Sequence, residues 1–194
     1  FVSALTSLTG RSIYSYTLLN SPNQGPFALD LDLAHGDQRL RSSVRMPGVG
    51  ESVAVDLAAV YGVEESQGFE VVLQFDADQL DFKTFAVSDL YEDGQVLTTI
   101  DGGTVQLSVV LFSRKAERDS GSVGQVVFSV LEGFTGETAV VLESVRIARS
   151  EDEVVEPLLG REGVSVTIGG VLLPTADFNG DGRLDVAASG WLGN

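Results

Sequence analysis

Through the middle of the chain, apolar and polar residues alternate with a period of two. FALDLDL puts Phe27, Leu29, Leu31 and Leu33 on one face and Asp30 and Asp32 on the other. SVAVDL groups Val53, Val55 and Leu57; GFEVVLQF groups Phe69, Val71, Leu73 and Phe75. TVQLSVVLF turns Val105, Leu107, Val109 and Leu111 inward, and GQVVFSVL, TAVVLESVRIA and GVSVTI follow at similar spacing. Such alternation marks strands half-buried against a core. Turn signals separate them: Gly48 and Gly50, Asp93-Gly94, Asp101-Gly102-Gly103, Gly121, Gly133 and Gly136. Sustained helical periodicity is missing, and the stretch from Leu57 to Val63 comes nearest to it. About nine strands at this spacing predict an all-β fold, a two-sheet sandwich of roughly 140 residues.

Two segments break the pattern and divide the chain into 1–25, 26–170 and 171–194. In residues 1–25, Arg11 is the only charge, eight residues are Ser or Thr, and SIYSYTLL has strand composition. A neutral, β-prone arm is an aggregation hazard unless it is paired. It is expected to add an edge strand to its own sandwich or to donate one to a neighbouring copy. The stretch from Asn20 to Pro26 reads as a linker or turn. Residues 171–194 begin with a short linker containing Pro174.

Charge narrows the function. The chain has 28 acidic residues against 12 basic ones (ten Arg, with Lys83 and Lys115), a net charge of -16 and a pI near 4.2. That balance argues against nucleic acid and anionic lipid, which would be repelled, and suits divalent cations. No apolar run approaches the roughly 18–20 residues needed to cross a bilayer, so membrane insertion is not expected. The absence of Cys removes disulfides, thiolate metal sites and Cys nucleophiles. The chain opens at Phe1, which suggests a processed, secreted protein whose signal peptide has been removed.

The most specific motif follows the second linker. Asp177, Asn179, Asp181 and Asp185 place side-chain oxygens at positions 1, 3, 5 and 9 of an EF-hand-like loop. Gly182 stands where that loop turns sharply, and Arg183 would give its carbonyl at position 7. Ca²⁺ needs six to eight oxygens at about 2.3–2.6 Å, and short Asp and Asn side chains at alternate positions can aim at one centre. Position 12, normally a bidentate acid, is Ala188. Water or the acidic run Glu151, Asp152, Glu153 and Glu156 could complete the shell.

An ordered series of segments resembles the cohesin family. It comprises Met46-Pro-Gly-Val-Gly-Glu-Ser-Val-Ala-Val-Asp-Leu57, then Gly68-Phe-Glu-Val-Val-Leu-Gln-Phe-Asp76 with Leu80-Asp-Phe82, then Ser120-Gly-Ser-Val-Gly-Gln-Val-Val-Phe128 and Gly163-Val-Ser-Val-Thr-Ile168. The resemblance implies a nine-stranded jelly-roll sandwich, extracellular and non-catalytic, that binds a protein through one sheet face. The tail resembles one dockerin repeat and equally the calcium loop of VCBS/FG-GAP repeats. A dockerin has two loops, whereas this chain has one. A cohesin-like body and a half-dockerin-like tail on one chain invite head-to-tail assembly with other copies.

Other candidates carry plainer readings. His35, the only His, is a turn residue, and no G-x-S-x-G elbow accompanies it. Asp76, Asp78 and Asp81 read as a strand turn rather than a carboxylate pair or second cation site. Asp89, Glu92 and Asp93 read as a solvated loop. Trp191 is expected to pack the tail on the body. The expected function is therefore a Ca²⁺-binding, extracellular protein-interaction module without catalysis, assembling with itself by strand donation. A cohesin-type receptor for a dockerin-type module is the first alternative. A carbohydrate-binding module is the second; it would want a row of exposed aromatics, and Tyr14, Tyr16, Tyr61, Tyr91 and Trp191 are scattered.

Overall fold

The computed structural model describes residues 25–31, 46–112, 114–150, 152–160 and 164–170, with the backbone of 175–176 and 185–186. The strands are β1 (Phe27–Asp30), β2 (Ser52–Ala59), β3 (Gly68–Phe75), β4 (Leu80–Val87), β5 (Gln95–Asp101), β6 (Thr104–Val110), β7 (Gly121–Val130), β8 (Glu137–Ala148), β9 (Val154–Val155), β10 (Ser165–Gly169), β11 (Thr175–Ala176) and β12 (Asp185–Val186). A single 3-10 turn at Asp89–Tyr91 is the only helical element among the described residues. The stretch from Leu57 to Val63 finishes β2 and turns.

Two sheets face each other. The smaller has the order β1-β2-β7-β4 and the larger β10-β8-β3-β6-β5, with β9 also pairing β8. All described pairings are antiparallel. This is the two-sheet, all-β sandwich that the alternation predicts. Its core comes from the inward set: Val55 and Leu57 of β2 and Val126 and Phe128 of β7 oppose Val71 and Leu73 of β3, Leu107 of β6 and Leu142 of β8. Each such side chain withdrawn from water stabilises the fold by about 1.5–3 kcal/mol. Two aromatic clusters join the sheets. Phe128 packs on Phe75 at 5.1 Å and on Phe82 at 6.1 Å; Phe69 packs on Phe27 at 5.4 Å and edge-on to Tyr91 at 4.8 Å.

Strict alternation fails in two long strands. In β8 the buried positions run Val140, Leu142, then Val145 and Ile147, because one extra residue bulges opposite Val72 and Leu73 of β3. In β7 the register slips opposite Leu57 and Ala58. Bulges of this kind twist the strand and re-aim its side chains. The expected polar face of β1 also differs. Asp30 points away from the core yet is wholly buried, directly across from Asp56, itself buried and bonded by the Ser122 hydroxyl at 2.5 Å.

The described chain enters the sandwich through buried residues. Gly25 and Pro26 are buried, and Val60 donates its N–H to the Pro26 carbonyl. A Cβ on Gly25 would lie 2.5 Å from the Gly160 nitrogen, so the chain enters β1 through a contact only glycine permits. Residues 1–24, where the arm is expected, lie outside the described residues.

Candidate functional site

The outer face of the larger sheet is unusual for so acidic a chain. Register places its outward residues in rows across β8, β3, β6 and β5. They read Ala148, Gly68, Val110 and Gln95; then Arg146, Glu70, Ser108 and Leu97; then Ser144, Val72, Gln106 and Thr99; then Val141, Gln74, Thr104 and Asp101. Only Arg146, Glu70 and Asp101 among them are charged, with Glu143 exposed in the bulge of β8. Small residues keep the surface flat, and a groove of about 310 Å³ opens over Gly68, Glu70, Ser108, Val110, Arg146 and Val154.

Arg146 organises the polar part. Its Nη1 lies 3.4 Å from Glu70 Oε1 and its Nε 2.9 Å from Glu156 Oε1, while the Ser108 hydroxyl donates to Glu70 at 3.2 Å. Exposed pairs like these add little stability, about 0–1 kcal/mol. They fix where charge sits on a sparsely charged surface. Beside them lies an apolar cluster: Leu97 is 68% exposed, Val110 43% and Phe112, just beyond β6, 74%. Large apolar groups held in water at one corner of a flat face suit the anchoring of another protein.

That corner is held from beneath. Tyr91 and Ser66 are fully buried, with the Ser66 hydroxyl 2.6 Å from the Tyr91 hydroxyl and 2.5 Å from the Val63 carbonyl. Burial pushes the Tyr91 phenol up to about 12, with the Ser66 bond acting in the other direction. The Tyr91 carbonyl accepts the N–H of Gly94, immediately before β5. At the opposite end of β5, the two-residue loop Gly102-Gly103 takes positive φ at Gly102, as a primed hairpin turn requires.

The residues singled out in the sequence fare differently. Asp177, Asn179, Asp181 and Arg183 lie outside the described residues. Asp185 opens β12, where its backbone pairs with Ala176. Glu156, offered as a possible twelfth-position ligand, is engaged by Arg146. Among the described residues no group of three or more acidic or His side chains is placed to hold a metal. Asp76 caps its own turn: it accepts from the Gln79 side chain at 2.6 Å and the Asp78 N–H at 2.9 Å, bonds that hold its carboxyl below the usual range. Asp81 pairs with Lys83. Tyr91 is core, which removes it from any aromatic row for sugar. His35, Trp191, Tyr14 and Tyr16 lie outside the described residues.

Sequence reasoning passed over Leu97, Val110 and Phe112. The signal was available for two of them. Once Val109 and Leu111 point inward, Val110 and Phe112 are apolar residues at positions that alternation turns outward.

No family model matches the sequence, and no curated protein is similar to it in sequence. Solved structures do match. A type I cohesin from Clostridium thermocellum, solved with a dockerin, superposes with a TM-score of 0.55 at 11% identity, over 76% of this chain and 99% of that one. The cohesin module of a family 33 glycoside hydrolase from Clostridium perfringens gives 0.53 at 12% identity, over 76% and 96%. The sixth cohesin of scaffoldin B from Acetivibrio cellulolyticus, in complex with a Cel5 dockerin, gives 0.51 at 12%, over 72% and 94%. The chain therefore carries a cohesin-like sandwich.

Proposed function

We propose that the protein is a non-catalytic, extracellular interaction module that binds a dockerin-type partner on the outer face of its larger sheet. The observation carrying this reading is the exposed cluster Leu97, Val110 and Phe112 beside a flat, nearly uncharged surface on a chain of net charge -16. Two of the cohesins with this fold were solved with dockerins bound. None of the described helical segments is long and apolar enough to cross a membrane.

The same reading includes a Ca²⁺ held by Asp177, Asn179, Asp181, Asp185 and the Arg183 carbonyl. The ladder between Ala176 and Asp185 supports it, because ligands at the first and ninth positions must converge on one ion. Calorimetry with CaCl₂ on the full chain is expected to show one binding event that Asp181→Ala abolishes. Equal binding by that variant would remove calcium from the account.

For the partner, a panel of type I and type II dockerins is to be passed over the immobilised protein in Ca²⁺. At least one should bind, and Phe112→Asp and Leu97→Asp should each weaken it at least about tenfold, or ~1.4 kcal/mol. Silence across the panel, or binding indifferent to both substitutions, defeats the reading. Assembly with further copies is the second reading, favoured by the state of strand β5.

A further inference from the structure

We infer that β5 is a self-pairing edge, through which two copies of the chain join their larger sheets into one continuous sheet. All seven residues of β5 are exposed, including Val96 and Ile100 on the side that faces the core. In the ladder with β6, Asp101 and Thr104 close a two-residue loop and form a hydrogen-bonded pair. The bonding then alternates, so the N–H and C=O groups of Val96, Thr98 and Ile100 point away from β6. Among the described residues nothing else bonds to them.

Edges are normally protected by charge, proline, bulges or shortness. β4, an edge of the smaller sheet, carries Lys83 within a bulge between Phe82 and Thr84. β1, the other edge of that sheet, is four residues long. β5 has none of these devices: its register with β6 is unbroken, and its sequence QVLTTID holds one charge and no Pro.

The sequence of β5 fits a second copy of itself. An antiparallel pairing centred on Thr98 sets Val96 against Ile100, Leu97 against Thr99 and Gln95 against Asp101. Apolar meets apolar on the core side, and Asp101 never faces its own copy. The three outward-pointing residues on each strand exchange six backbone hydrogen bonds. Asp101 is the only charge on the seven residues of β5, so repulsion between two copies of -16 is small along this edge. Association should therefore strengthen as salt screens the remainder.

Cross-linking of the full chain tests this cleanly, because the protein has no Cys. On the two-fold axis only residue 98 opposes itself, at the roughly 5.5 Å Cα spacing that a disulfide accepts. Under mild oxidation Thr98→Cys should give a covalent dimer of doubled mass, faster than Thr84→Cys on β4. Wild-type sedimentation should shift toward dimer between low salt and ~0.15 M NaCl. Thr98→Pro, which deletes an outward N–H, should remain monomeric with an unchanged circular dichroism spectrum. Phe112→Asp should cross-link normally when combined with Thr98→Cys, which separates this inference from dockerin binding. Equal cross-linking at residues 84 and 98 overturns it, as does a folded Thr98→Pro variant that still dimerises; if that variant does not fold, the cysteine pair decides.

Discussion

Removing one oxygen from Ser66 should destabilise the protein more than removing one from Tyr91. A carbonyl only accepts, so the single Ser66 hydroxyl proton goes to Val63, 2.5 Å away. The Tyr91 hydroxyl, 2.6 Å from Ser66, must then be the donor in their contact. Tyr91→Phe deletes a donor together with its bond and leaves no orphaned proton; the expected loss is about 1 kcal/mol. Ser66→Ala strands the tyrosine O–H in a fully buried position, which costs about 1–3 kcal/mol. The Val63 carbonyl still receives the Ser66 N–H at 3.0 Å, so it adds little to that loss. In the double variant the stranded donor disappears, and the two effects should fall short of additivity by about 1 kcal/mol. Urea unfolding followed by circular dichroism reads all four proteins; with a slope of about 2 kcal/mol/M each single variant's midpoint falls ~0.5 M or more below that of the wild type. Additive losses, or a Tyr91→Phe effect equal to that of Ser66→Ala, would refute the assigned direction of the bond.

Three further outcomes follow from the same structure. Because the Tyr91 phenol is raised from 10 to about 12, its contribution is complete below pH 10 and lost as pH climbs toward 12, so the unfolding midpoint should fall across that window less steeply in Tyr91→Phe. Asp119 Oδ1 accepts the N–H groups of Gly62, Val63 and Glu64 at 2.5, 3.1 and 3.4 Å; Asp119→Ala should lower stability by about 1 kcal/mol and speed amide exchange at those residues, with Asp119→Asn in between. Gly68→Ala would bring a Cβ to 2.3 Å from the Val109 carbonyl, so the β3–β6 ladder must part, at about 1–3 kcal/mol by thermal unfolding.

Much of the sandwich could be read from alternation alone. Where one face is buried and the other wet, as in β3, the placement of Phe69, Val71 and Leu73 follows directly from a period of two. The pattern misled wherever that premise lapsed. Asp30 and Asp56 lie on an outward face that is nonetheless buried, and polarity alone does not report burial. The bulges in β7 and β8 depend on the partner strand, which lies far away in sequence. Leu97 was hidden for a different reason: every residue of β5 is exposed, so QVLTTID carries no contrast between an inner and an outer face. The oxygen-rich spacing from Asp177 to Asp185 stands out because it is local in sequence; Arg146, Glu70 and Glu156 meet only after three strands and a loop are assembled.

The strand order also governs when the molecule can come into being. β2 finds its neighbour in β7, setting Val55 beside Val126, and β3 finds one of its neighbours in β8, setting Val71 beside Val145. Each half of the sandwich thus waits for residues some seventy positions downstream, and loop closure over such spans makes folding slow, on the scale of milliseconds to seconds. During synthesis, β2 and β3 leave the ribosome well before those partners exist. Their apolar faces need shelter through that interval, and a chain cut short before β8 lacks Leu142, Val145 and Ile147 to complete the core.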